Sequence, residues 1–142
     1  DMRVFLQGVS GSSAYNGFKL TTVYPNQTSV GPEANLSADA IDTWSPTNTG
    51  SSNFRLGGAG DNLRPSDFWI EDTSYLRLKN VTIGYTFPEI KGISRLRIYA
   101  AGENLFTITD YSGLDPEVGN RGLDGGQYPI ATTFTIGLNV GF

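Results

Sequence analysis

In residues 130–142, IATTFTIGLNVGF, the large apolar side chains Ile130, Phe134, Ile136, Leu138, Val140 and Phe142 all fall on even positions. The odd positions hold Ala131, Thr133, Thr135, Gly137, Asn139 and Gly141. Successive side chains of a strand point to opposite faces, so this run reads as a strand with one large apolar face and one small, polar face. The run before it, SRLRIYAAGENLFTI, divides in the same way. Leu96, Ile98, Ala100, Phe106 and Ile108 share one side; Arg95, Arg97, Tyr99 and Glu103 share the other. Strands of soluble domains are usually about five or six residues long, whereas a tilted strand crossing a bilayer needs roughly ten. Two runs of this length point to strands in a membrane.

A third run, SYLRLKNVTIGYTFP, changes phase partway. Leu76 and Leu78 fall on one parity, and Val81, Ile83, Tyr85 and Phe87 on the other. A flat strand cannot put both sets on one face, and an extra residue around Lys79 and Asn80 would restore the match. A fourth alternation, Met2, Val4 and Leu6, opens the chain. Strands are therefore expected over about 2–9, 75–87, 95–109 and 129–142. The link PEIKGI is short, while residues 10–73 and 110–128 are long and rich in Gly, Ser, Asn and Pro. Short turns on one side and long loops on the other, in alternation, is the pattern of a transmembrane barrel. With the last strand descending to the periplasm, both long segments fall outside. The fold expected is all-β, antiparallel strands of an outer-membrane β-barrel. One short helix is expected at SADAIDTW, between its cap Ser37 and the stop at Ser45-Pro46.

Composition removes several functions. Histidine and cysteine are absent from the 142 residues, which excludes His-based triads, thiolate and imidazole metal sites, and disulfides. The net charge of -4 and a pI near 4.6 argue against a nucleic-acid surface. No apolar run reaches the roughly 18 residues of a membrane-spanning helix. The opening DMRVFLQGVSG lacks a basic segment followed by an apolar core, and reads as a chain entered midway, a fragment or a mature product. Adjacent Glu71 and Asp72 would point to opposite faces of a strand and so cannot act as a glycosidase pair. GGAGD, residues 57–61, lacks the Lys-Ser/Thr of a phosphate loop and reads as a loop. No enzymatic role is expected.

Two sets of loop residues are candidates for binding. Trp44, Phe68, Trp69, Tyr111 and Tyr128 lie in or beside the outer loops and could stack on the apolar faces of sugars; packing within the loops or at the membrane interface is the competing reading. In DPEVGNRGLDGG, the residues Asp115, Glu117, Asn120 and Asp124 offer oxygen donors for Ca2+, although their spacing is not that of an EF-hand and a solvated acidic loop is the competing reading.

SDFWIEDTSYLRLKNVTIGYTFP, LRIYAAGENLFTITDYSGLDPEV and YPIATTFTIGLNVGF, in that order, resemble the C-terminal end of the SusC/RagA group of TonB-dependent outer-membrane transporters. IDTWSPTNTGSSNFRL is similar to that group's Trp-Ser/Thr-Pro outer-loop element. The resemblance implies the last four or so strands of a barrel of about 22, with a plug, a SusD-like lipoprotein partner, and import of oligosaccharides or peptides with energy from the TonB complex. It also implies that Phe134, Ile136, Leu138, Val140 and the terminal Phe142 form a strand recognised during barrel assembly. The rival readings are a soluble β-sandwich that binds glycan and an assembly role through an exposed sheet edge.

Four strands cannot close a membrane barrel, because single-chain barrels begin at about eight. The isolated 142-residue chain is therefore expected to associate in water through unpaired edges and its apolar face. A monodisperse, cooperatively melting monomer in detergent-free sedimentation would favour the sandwich instead.

Overall fold

The computed structural model describes residues 1–24, 35–56, 64–88, 91–118 and 122–142. The elements in chain order are β1 (Met2–Val9), β2 (Ser13–Asn16), α1 (Gly17–Val23), β3 (Ile70–Asp72), β4 (Tyr75–Thr86), β5 (Arg95–Thr109), β6 (Leu123–Asp124) and β7 (Thr133–Gly141). They divide between two compact units. Asp1–Gly11, Ser74–Asp110 and Pro129–Phe142 form a sheet unit; Ser12–Thr73 and Tyr111–Tyr128 form a loop unit.

The sheet unit is one antiparallel sheet in the order β1-β4-β5-β7. Its register explains the phase change in β4. Phe5 and Leu6 are consecutive in β1, yet they pair with Asn80 and Leu78, so Lys79 is an extra residue on β4. Across β4, Leu78 pairs with Phe106 and Asn80 with Glu103, which leaves both Asn104 and Leu105 opposite Lys79. Asn104 takes a positive φ of 52° to make the turn. The three neighbouring strands thus carry no, one and two inserted residues at one level; the single insertion shifts the phase of β4, while the pair in β5 leaves its parity unchanged.

The result is a continuous apolar face. Leu6, Leu78 and Phe106 meet on one side of the bulge, and Val4 with Val81 and Met2 with Ile83 on the other. Ile98, Ala100 and Gly102 pair with Leu138, Ile136 and Phe134. No charged residue interrupts this face at the paired positions, and most of its side chains are exposed, with Ile136 at 84% and Phe134 at 77%. The opposite face carries Arg3, Gln7, Arg77, Asn80, Thr82, Arg95, Arg97, Tyr99 and Glu103, with Phe5, Val9 and Ala101 as apolar exceptions. There Arg77 is buried, donating from Nε to Thr107 Oγ1 at 2.7 Å, with its guanidinium 5.4 Å from the centre of the Tyr75 ring. Tyr99 lies over its cross-strand partner Gly137, where any Cβ would collide with the phenol ring. Both long connections leave the sheet at the end where Val9, Tyr75 and Thr109 pair, and the short link joins β4 to β5 at the other end.

Two local expectations change. Residues 37–44 do not form a helix: Ser37 Oγ accepts from the Asp39 amide at 3.3 Å, but only a 3-10 turn, Ala38–Ala40, follows. Asp42 then draws the chain into a loop. Asn48 donates to its carboxylate at 2.8 Å, and Ser51 and Asn53 donate to its carbonyl at 2.8 and 2.9 Å. The α-helix is instead α1, GFKLTTV, whose glycine and β-branched residues are weak helix formers. Its support comes from Asn16, which accepts from the Lys19 amide at 2.8 Å, and from packing of Val23 in the loop-unit core. Residues 129–132 lie outside β7; Asn104 holds them from β5, donating to the Ala131 carbonyl at 3.3 Å and accepting from Thr132 Oγ1 at 2.8 Å.

Deleting Lys79 removes the inserted residue of β4 and sends either Leu76 and Leu78 or Val81 and Ile83 to the polar face. In the full-length protein this deletion is expected to abolish the heat-modifiable folded species on cold gel electrophoresis. Lys79→Ala, which keeps the count, is expected to retain most of it.

Candidate functional site

The candidate residues outside the sheet belong to the loop unit, which has its own core. Val23, Tyr24, Ala40 and Trp69 are buried together, with Tyr15, Leu20, Phe54 and Phe68 packed against them. Trp69 meets Tyr24 edge-on at 5.6 Å and Phe68 at 4.9 Å, both at 89°. Phe54 stacks on Phe68 at 4.1 Å. Such aromatic pairs add about 0.5–1.5 kcal/mol each beyond the area they bury. The Phe54 amide donates to Tyr24 Oη at 2.7 Å; burial pushes the Tyr24 phenol above its ordinary pKa, partly offset by that bond. The Trp69 indole N–H has no acceptor among the described residues, so this ring is held by packing alone.

A polar network joins four segments around this core. β2 lies between β3, antiparallel, and β6, parallel. Asn16, at the end of β2, caps α1 and donates from Nδ2 to Ser112 Oγ at 3.1 Å. Ser112 donates to Glu71 Oε2 from its hydroxyl at 2.6 Å and from its amide at 3.1 Å, and Lys19 reaches Glu71 Oε1 at 3.3 Å. Burial pushes the Glu71 carboxyl up, but the Ser112 bonds and the Lys19 charge outweigh it and hold the group below its ordinary pKa. Tyr111 donates to Asp124 Oδ2 at 2.6 Å, and the Gly126 amide donates to Asp124 Oδ1 at 2.8 Å. The Tyr111 phenol is driven far above its ordinary pKa by burial, by its bond to the Asp124 carboxylate and by the charges of Asp124 and Glu71.

These positions sort the aromatic candidates. Trp69 and Tyr111 are buried and unavailable to a solute; they hold the loop unit together. Phe68 is half-buried between Trp69, Phe54 and the Lys19 ammonium, which sits 5.0 Å from its ring centre. Trp44 and Tyr128 remain open, Tyr128 at 91% exposure. Trp44 is presented on the loop organised by Asp42, its amide bonded to the Asn53 carbonyl at 3.1 Å.

Of the expected Ca2+ donors, Asp115, Glu117 and Asp124 do not gather. Among the described residues no three acidic side chains gather as a cation site. Both oxygens of Asp124 already accept hydrogen bonds from Tyr111 and Gly126, and Asp115 accepts from the Glu117 amide at 2.9 Å. Asn120 lies outside the described residues, as does GGAGD. Glu71 and Asp72 do separate in β3, Glu71 turning into the network while Asp72 is exposed. The roles of Asn16 and Ser112 were not read from sequence, although an Asn directly before GFKLTTV is a capping signal.

No family model matches the chain. It is 37% identical to TonB-dependent receptor P3 of Formosa agariphila over 97% of this chain and 16% of that protein. It is 38% identical to TonB-dependent receptor SusC of Bacteroides thetaiotaomicron over 78% of this chain and 12% of that one. The chain spans one-sixth or less of the length of the curated relatives it matches. Among solved structures, the RagAB peptide transporter superposes over 98% of this chain with a TM-score of 0.78 at 24% identity, and the RagAB importer in its open-open state gives 0.79.

Because Glu71 sits below its ordinary pKa when folded, its contribution is full above the unfolded value, near 4.3, and is lost as pH falls through the folded value. Acid is therefore expected to loosen the network. In the full-length protein, limited proteolysis of the 111–118 segment is expected to accelerate between neutral pH and about pH 3. Glu71→Gln is expected to be already susceptible at neutral pH and nearly insensitive to acid.

Proposed function

We propose, for a chain that belongs to the TonB-dependent receptor family, that it forms part of the wall and outer loops of a bacterial outer-membrane transporter of the SusC/RagA type. In this reading β1, β4, β5 and β7 are the last strands of a closed barrel of about 22, and the loop unit faces the cell exterior. The plug and the TonB-contacting segment lie in parts of the protein beyond these residues, and a SusD-like lipoprotein covers the outer opening. The cargo is an oligosaccharide or a peptide, taken up by transport and not by catalysis. Trp44 and Tyr128 are the open rings that could touch it.

The observation that carries the reading is the two-sided character of the four-stranded sheet. One face is uncharged, apolar and exposed; the other bears arginines, Glu103 and hydroxyls. A soluble sandwich would cover that first face with a second sheet, yet its side chains stand open. Lipid is the solvent that such a face matches, and strands can cross lipid because each backbone group bonds to a neighbouring strand. Tyr85 and Phe87, edge-to-face at 4.9 Å beside the short link, suit the periplasmic interface belt. In the same reading, the exposed side chains Phe134, Ile136, Leu138, Val140 and Phe142 serve as the recognised strand during assembly.

A paired substitution tests the orientation in the full-length protein. Ile136→Arg places a charge on the lipid side and is expected to destabilise the barrel by roughly 2–4 kcal/mol, whereas Thr135→Arg faces the lumen and is expected to be nearly neutral. Unfolding in denaturant from lipid vesicles measures both; equal losses would overturn the assignment.

A further inference from the structure

The sequence contains one Asn-Gly pair, Asn16-Gly17, and the fold sets it where β2 meets α1 inside the loop unit. Asn16 is fully buried and pairs with Asp124 of β6. Both ends of its carboxamide are engaged: Oδ1 accepts from the Lys19 amide at 2.8 Å, and Nδ2 donates to Ser112 Oγ at 3.1 Å. Gly17 is equally constrained. A Cβ there would lie 2.7 Å from the Asp124 carbonyl oxygen, a backbone atom that cannot swing aside. Packing therefore demands glycine directly after a residue that hydrogen bonding demands be asparagine.

This pair is chemically labile. Glycine leaves its own amide nitrogen unhindered, so that nitrogen can attack the preceding asparagine Cγ. The new N–C bond closes a succinimide, the Cγ–Nδ2 bond breaks, and Nδ2 leaves as ammonia with the proton of the Gly17 amide. Water then opens the ring at either carbonyl, giving aspartate, or isoaspartate with an extra methylene in the main chain. Ring closure requires Cγ to turn onto the Gly17 nitrogen, which breaks the bonds to Lys19 and Ser112, and ring opening requires water that a fully buried residue does not meet. The closed network blocks both steps, and local opening permits them.

The products cannot rebuild the closed state. Ser112 Oγ accepts from Asn16 while its single hydroxyl proton goes to Glu71. A carboxylate at position 16 has nothing to donate and competes with Glu71 for that proton. Isoaspartate also lengthens the chain where Tyr15 and Asn16 pair with Leu123 and Asp124.

We propose that Asn16-Gly17 is a latent site of covalent modification, guarded by the Ser112 and Lys19 bonds, at which opening of the loop unit is recorded as irreversible deamidation that keeps the unit open. The proposal rests on burial within one unit, which further chain around it can only increase, and it goes beyond the reading of the chain as part of a transporter.

Peptide mapping by mass spectrometry tests it on the full-length protein in detergent, incubated in mildly alkaline buffer. Native wild-type protein is expected to keep Asn16 intact, while the denatured chain converts it to aspartate and isoaspartate. Ser112→Ala is expected to convert roughly tenfold faster than native wild type, since loss of a buried hydrogen bond raises the open population by about that factor. Asn16→Asp keeps the helix cap but not the donor to Ser112, and is expected to speed proteolysis of the 111–118 segment. If Ser112→Ala loses the heat-modifiable fold, wild-type protein in rising, sub-denaturing urea decides: conversion of Asn16 and cleavage of 111–118 are expected to rise together. Native protein converting as fast as denatured, Asn16 unmodified in folded Ser112→Ala, conversion that does not follow cleavage in urea, or Asn16→Asp as resistant to protease as wild type overturns the proposal.

Discussion

The register at a single level of the sheet sets the character of everything built on it. With no inserted residue between Phe5 and Leu6 in β1, one at Lys79 in β4, and two at Asn104 and Leu105 in β5, three strands of unequal length across that level still turn their apolar residues to one side. A single uncompensated insertion would invert every residue beyond it in that strand, because side chains alternate with a period of two. The strained position that permits this, Asn104 at positive φ, also holds the segment leading into β7 through its side-chain and carbonyl bonds. One backbone irregularity thus preserves the face and fixes where the last strand begins.

The loop unit is stabilised on different terms. Among the described residues the buried core cluster belongs to the loop unit, which encloses Trp69, Tyr24 and Val23, and the sheet contributes no member to it. Loops of this length ordinarily carry unsatisfied backbone, and here side chains supply the missing partners. Asn16 caps α1, Asp42 gathers its loop, and Glu71 with Ser112 ties the segment after β5 to β3. Asparagine, aspartate and serine satisfy backbone in this way without regular ladders. Glu71 makes its own tie sensitive to acid, since its bonds to Ser112 and Lys19 hold the carboxyl below its ordinary pKa.

These differences also explain how far the sequence could be read. Alternation in β4, β5 and β7 made the two faces legible, and the parity change between Leu78 and Val81 marked the bulge, because face assignment depends only on local spacing. The matching insertion in β5 stayed hidden. Two extra residues restore the original parity, so Leu96 to Ile108 reads as one uninterrupted strand. The loop unit was scarcely legible. α1 has low intrinsic propensity and exists through its cap and its packing, while SADAIDTW, with a good cap, loses its helix to the pull of Asn48, Ser51 and Asn53 on Asp42. Trp69 and Tyr111 looked like binding rings because composition cannot separate an exposed aromatic from one that closes a core; the distinction lies in contacts made across more than ten residues, such as that between Tyr111 and Asp124.

Net charge misleads for the same reason, being an average over two unlike units. Sorted by unit, the loop segments hold ten acidic residues against four basic ones, while the sheet segments hold six basic against four acidic. The acidity of the chain therefore belongs to the loops. On the sheet the charges are further confined to one side, since the other must stay free of them to match hydrocarbon. Arg3, Arg77, Arg95 and Arg97 consequently share a face with little opposing charge beyond Asp1 and Glu103. A wall that keeps one face uncharged concentrates on the other whatever charge it carries. In a sheet whose strands bear more arginine than carboxylate, that rule alone yields one cationic face.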